Sequence, residues 1–469
     1  MPFHQRVPPL PAGSGYQPGG GGGCVTTVKL APRPRRTAQA ACQTPRMADL
    51  TGAEAGVLTA VDEGWLVDRL RRMIAVPSIG GTPAESEVQH LLAEWLHDLG
   101  CAVDVWPIDL AAAATEAGAP GQEVERSEAW GVVGTLPSAE DGVPALVLSG
   151  HTDVVPPGDL SLWDGDPFVP RIADGAVHGR GACDMKAGVI ASLGAVAAIR
   201  AAGIELVRPL AIHGVVGEED GGLGAWATLR RGHLGELCVI PEPTAQAVVT
   251  ANAGALTFRL EVTGRAAHAA MREQGVSAVE LFAHVHAALQ EFEAERQRGA
   301  DPRFGTMPYP YGISIGRVQA GDWASSVPDL LVAEGRYGVR LGEPLEAARE
   351  AFAARLTDVC AAHPWLAEHP VRLTWTGGAF ASGELPTGHP LLPAVRQAVT
   401  DAGGGVPAER AIAAGSDLRQ YAAAGVPTLH YGPGDLNLAH GPGERVPIAE
   451  LVTATRAYAL LALRTCGIR

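Results

Sequence analysis

The sequence predicts an α/β sheet domain interrupted by an inserted ferredoxin-like unit, and three observations predict it. Branched apolar runs at 144–150 (PALVLSG), 208–217 (RPLAIHGVVG) and 237–242 (LCVIPE) read as buried strands, and the Ala-rich KAGVIASLGAVAAIRAAG at 186–203 reads as a helix between the first two. Strands alternating with helices are the pattern of an α/β sheet. After about residue 253 the order becomes β-α-β-β-α-β, the split ferredoxin-like motif. At 469 residues the chain also exceeds the size at which a single core keeps growing, so two domains are expected.

Residues 1–46 contain PPLPAGSGYQPGGGGG and APRPRR, with six basic residues and no acidic one. Such a segment buries too little apolar surface to offset its ordering entropy, so a disordered tail is expected. From residue 64, WLVDRLRRMIAV and ESEVQHLLAEWLHDLG carry apolar residues at helical spacing, with Gly100 as a helix stop. These helices and the three strands form the first part of the α/β domain, expected over 47–252. In the inserted unit, 253–375, strands are expected at 255–264, 311–321, 330–341 and 370–378, and helices at 277–297 and 344–363. The first domain resumes over 376–469 and closes on the helix IAELVTATRAYALLALRT.

A formal charge of -15 with scattered basic residues argues against a nucleic-acid binder. The seven cysteines include no C-x-x-C pair, which fits a reducing compartment, and the cytoplasm is the expected location. No stretch approaches the roughly 18–20 uncharged apolar residues of a membrane span.

In α/β sheets ligands bind beyond the carboxyl ends of the strands, and the chain places its titratable groups there. SGHTDVVPPGD puts His151 and Asp153 after the first strand, two residues apart. On a strand they would share a face, letting Asp153 hold one ring nitrogen while the other meets a metal. Asp184, in HGRGACDMKAG, precedes the Ala-rich helix; it reads as a helix cap or as a carboxylate bridging two cations. GVVGEEDGG places Glu218 and Glu219 side by side, and two desolvated neighbouring carboxylates need a cation or a proton. If the strand pleat persisted, one would ligate metal and the other would face a water. Glu242 follows the next strand in VIPEPT, and His440 lies in YGPGDLNLAHGPGERVPI before the last helix. This nitrogen and oxygen set without thiolate suits two divalent ions about 3.5 to 4 Å apart, zinc first, with cobalt or manganese as substitutes.

These five segments, in this order, resemble the M20 metallopeptidase family that contains acetylornithine deacetylase, succinyl-diaminopimelate desuccinylase, aminoacylase and glutamate carboxypeptidase. The resemblance runs from about residue 60 to the end. It implies a mixed-sheet zinc-peptidase catalytic domain and an inserted lid that also forms a homodimer. It further implies that His151 and Glu242 bind one metal, that Glu219 and His440 bind the other, and that Asp184 bridges both. Asp153 would orient His151, and Glu218 would be the general base. His268, in VTGRAAHAAMREQG, matches a histidine that reaches the partner subunit's site to polarise the scissile carbonyl. The family's carboxylate-binding Asn and Arg are replaced near Ser325 and Gly338, with Arg336 or Arg340 as substitutes.

AGSDLRQY at 414–421 resembles a substrate-contacting loop, although Asp417 and Arg419 equally suit a structural pair. His178 and His213 read as structural. The expected activity is metal-dependent removal of a small N-acyl group from an amino acid or related amine. The alternatives are a dipeptidase or carboxypeptidase of the same family, and a non-catalytic metal-bound ligand receptor.

Overall fold

The structure, a computed structural model, describes residues 50–116 and 118–469; the tail expected over 1–46 lies outside them. A large mixed sheet runs in the order Ala102–Pro107, Trp130–Leu136, Leu210–Val215, Leu146–His151, Cys238–Ile240, Thr428–His430, Val248–Asn252 and Gly383–Glu384. Glu409–Ile412 pairs beside the 248–252 strand. The four central strands are parallel, and their antiparallel neighbours make the sheet mixed. The parallel centre matches the apolar runs in the sequence. The strands at 102–107, 130–136 and 248–252 were not among those expected.

Both faces of the central strands are covered, which explains why they read as unbroken apolar runs. Leu146 and Leu148 point into the larger core with the helices Pro83–Asp98, Ala187–Ala201 and Ile448–Cys466, while Val147 points into the core under Leu223–Arg230 and Leu418–Ala423. Against the expectation that no stretch approaches a membrane span, Ala182–Ala201 is, among the described residues, long and apolar enough to cross one, but 94% of its most apolar window is buried inside the protein because it is the central core helix. Gly188 lets this helix start against the neighbouring strand end: a Cβ there would lie 2.0 Å from the Pro241 carbonyl oxygen.

A separate four-stranded antiparallel sheet has the order Ile313–Ala320, Leu330–Val339, Gly254–Thr263, Arg372–Phe380. Alternation governs it. Leu256, Phe258, Leu260 and Val262 pack under the helices Ala278–Arg296 and Leu345–Ala361, whereas Arg259 and Glu261 lie on the opposite face. Its last strand continues past residue 375, because Ala379 and Phe380 still pair with Leu256 and Ala255 beyond a bulge.

Candidate active site

Strand register brings the site together. His151 ends its strand opposite Val215, three residues before Glu218, and Glu242 follows the parallel strand on the other side. Asp184 stands in the non-helical segment before helix 187–201, with φ -112° and ψ 98°, and its peptide bond to Met185 is cis. His440 follows a short turn at Leu436–Leu438 and has φ +61°.

His151 Nε2 lies 3.2 Å from Asp184 Oδ1 and 3.8 Å from Glu242 Oε1. His440 Nε2 lies 3.4 Å from Asp184 Oδ2 and 3.1 Å from Glu219 Oε2. Asp184 therefore faces both histidines, one through each oxygen. His151, Asp184 and Glu219 form one group, and His151, Glu218 and Glu242 another, each with ligand atoms within 4.8 Å of one another. The neighbouring glutamates diverge because a turn follows Val215, not because of strand pleat. Only glycine fits this turn's exit at residue 222, where φ is +88° and a Cβ would meet Gln420 at 2.1 Å and Asp417 at 2.5 Å.

Burial pushes the Glu218, Glu219 and Glu242 carboxyls above the usual range, and neighbouring histidines offset this only in part. Asp184 is held low: burial pushes it up, but hydrogen bonds from His151 and His440 outweigh that. His440 is raised to about 10 by Asp184 and Glu219, and His151 is raised by Asp184, Glu242 and Asp153 against the effect of its burial. Four carboxylates thus face two imidazoles. That charge balance and the nitrogen and oxygen donor set fit divalent cations.

Asp153 differs from the expected arrangement. It lies beyond the strand, and the nearest atom to His151 Nδ1 is its main-chain oxygen at 3.0 Å, with the carboxylate at 3.7 Å. The carboxylate instead accepts the backbone N–H groups of Glu218 at 3.4 Å and Glu219 at 3.2 Å. One residue therefore orients the histidine and the glutamate turn together.

A cavity of about 480 Å³ opens beside Glu218, Glu219 and His440, walled by Thr257, Arg336 and Phe380 among others. Arg336 donates to the Ala413 carbonyl at 2.6 Å. Arg340, the other candidate, is turned away and donates to the carbonyls of Glu295 and Arg296. His268 is exposed and does not line this cavity; its Nδ1 accepts the Ala270 N–H at 3.0 Å. Asp417 and Arg419 are buried behind the cavity, where Arg419 donates to the Ser416 and Gly221 carbonyls and stacks 4.3 Å from the Phe380 ring. His213 is held inside the sheet by the Tyr421 hydroxyl at 2.8 Å, and burial lowers its pKa to about 3.

A layer of buried charged residues that no sequence motif marks supports these groups. Arg126 joins Glu85 at 2.8 Å to Asp220 at 2.7 Å, next to the glutamate pair. Lys186, fully buried, donates to the carbonyls of Met73 and Val76, and burial lowers its pKa to about 7. Arg180 and Glu444 form an ion pair at 2.5 Å. The signal available for the last two was their placement inside the Asp184 and His440 segments.

The model of peptidase family M20/M25/M40 matches residues 147–464. The N-formyl-4-amino-5-aminomethyl-2-methylpyrimidine deformylase of Bacillus subtilis is 28% identical, over 79% of this chain and 87% of its own. The acetylornithine deacetylase of Proteus mirabilis is 27% identical, over 82% and 92%. Among solved structures, a dinuclear metal binding peptidase of Bacillus subtilis superposes with TM-score 0.58 at 16% identity, covering 86% of this chain and 98% of its own. With the family model matching well over half of its length, the chain belongs to peptidase family M20/M25/M40.

Proposed function

We propose that the protein is a metal-dependent amidohydrolase that removes a small N-acyl group, formyl, acetyl or succinyl, from an amino acid or related amine. The observation that carries this reading is the convergence of Asp184, Glu218, Glu219 and Glu242 on two imidazoles at the strand ends, beside an open cavity. The deformylase and deacetylase relatives support the small acyl group. In this reading 47–252 and the chain after the inserted sheet form the catalytic domain, and the unit beginning at 253 is its lid.

His151, Asp184 and Glu242 would hold one divalent cation and Asp184, Glu219 and His440 a second, and such cations would supply Lewis acidity toward water and the amide carbonyl. The donor chemistry favours zinc, with cobalt or manganese as substitutes. Glu218 is the general base. It takes a proton from water as the water oxygen bonds to the carbonyl carbon, and delivers that proton to the amine nitrogen as the C–N bond breaks. Arg336, lining the cavity, holds an anionic group of the substrate.

His268 serves the site of a second copy by donating to the developing oxyanion. The open edge of strand 313–320 and the exposed apolar side chains of Met271, Val318 and Trp323 support pairing of two copies through the inserted unit. The described cysteines are free and buried, in keeping with a cytoplasmic enzyme.

The test is amine release from N-formyl, N-acetyl and N-succinyl amino acids, formylated heterocyclic amines and dipeptides, with zinc- or cobalt-loaded protein and a chelated control. Chelator-sensitive release from an acylated amine is expected. Cleavage of dipeptides alone would move the protein to the dipeptidase reading, and no cleavage of any member would overturn the hydrolase reading.

A further inference from the structure

Asp184 and His440 share a difficulty: neither stands on a helix or strand, yet each must be held within tenths of an ångström to ligate one ion. Both are tied by the same ion pair. Glu444, with its side chain fully buried, accepts the backbone N–H of Cys183 and of Asp184 through Oε1, each at 3.2 Å. Its Oε2 receives Arg180 Nη1 at 2.5 Å. Arg180 Nη2 donates to the carbonyl of His440 at 3.1 Å and, more weakly, to that of Pro156 at 3.4 Å. Stacking of the guanidinium 5.1 Å from the Trp163 ring and the antiparallel pairing of 445–447 with 176–178 fix the pair in place.

We infer that Arg180 and Glu444 are positioning residues that set the distance between Asp184 and His440, and thereby the affinity of the cation those two share. The inference rests on the proposed reading of Asp184 and His440 as ligands. A buried ion pair is a poor source of net stability, since desolvation offsets its Coulomb energy. Here, however, Glu444 Oε1 and Arg180 Nη2 reach the two ligand loops. Groups that orient ligands in this way typically change metal affinity about 10- to 100-fold when replaced.

The test is titration of metal-free protein with cobalt(II), followed by calorimetry and by the visible spectrum. Arg180→Lys keeps the charge pair and removes the arm to His440. The double replacement Arg180→Leu with Glu444→Leu removes both tethers without leaving a lone buried charge. Replacing Arg296 by Lys, which loosens the Arg296–Glu343 pair in the inserted unit, is the control for loss of a buried ion pair.

Arg180→Lys is expected to weaken one of two cobalt sites about tenfold and to leave the other within about threefold. The double replacement also frees the Asp184 backbone, and Asp184 serves both cations, so it should weaken the His440 site further and the other site as well, whereas the Arg296 control should move neither. In a His440→Ala background Arg180→Lys should add little, because the site it supports is already lost. Arg180→Lys protein that is folded and binds both cobalt ions like the parent would overturn the inference alone, whatever the folding of the double variant. A parent that binds no cobalt would instead overturn the metal reading, and the positioning role with it.

Discussion

On the open face of the inserted sheet, Arg259 lies 3.2 Å from Glu261 and 3.0 Å from Glu334, Arg317 lies 3.0 Å from Glu334, and Arg372 also pairs with Glu261. At the carboxyl ends of the large sheet the carboxylates are more deeply buried, but among the described residues Glu219 and Glu242 make ion pairs only with histidines. Burial drives those glutamates upward, while the hydrogen bond from Arg372 helps hold Glu261 below its ordinary value. The first arrangement is a solvated face in which every carboxylate is paired with arginine. The second balances only when cations are added, and the difference separates a structural charge cluster from a site.

The largest effect should come from Glu218. Replacing it by Ala should lower turnover by about two to four orders of magnitude while two metals per chain remain, measured by steady-state kinetics with metal analysis. Near-normal turnover would remove the distinction between the base and its metal-binding neighbours. His440→Ala should act on metal loading first, leaving one tightly held ion per chain after dialysis.

Asp153→Asn should be milder. It weakens acceptance of the Glu218 and Glu219 N–H groups without touching the main-chain contact to His151, so cobalt affinity should fall about tenfold. In the inserted unit, Phe352→Ala should cost about 3–5 kcal/mol in denaturant unfolding, because the ring is fully buried against Phe258 and Tyr337. Cobalt affinity should not change. The smallest effect belongs to the paired face: Glu334→Gln should cost under about 1 kcal/mol, and a larger loss would mean that this face is not simply solvated.

Much of this contrast was legible in the sequence. His151, Asp184, Glu218, Glu219, Glu242 and His440 stand within a few residues of strand or helix ends, and apolar periodicity marks those ends. Asp153 was placed in the right neighbourhood but with the wrong contact, because the strand stops at His151 and the pleat argument stops with it. Arg180 and Glu444 stand inside the Asp184 and His440 segments, but their pairing across 264 positions was not legible, nor was that of Arg126 with Glu85 41 positions away, since no local pattern encodes such pairings. The strands 102–107 and 130–136 were missed for a related reason. They carry Asp104, Gly131 and Gly134 within short runs and are recruited by pairing to the sheet, not by an apolar run of their own.

The central claim is that the unbalanced carboxylates hold two cations at defined places. Anomalous diffraction at the zinc absorption edge, from crystals of zinc-loaded protein, tests it most directly. Two peaks about 3.5 to 4 Å apart are expected on either side of Asp184, one beside His151 and Glu242 and one beside Glu219 and His440. Zinc bound elsewhere, or no peak among these five side chains, would contradict it.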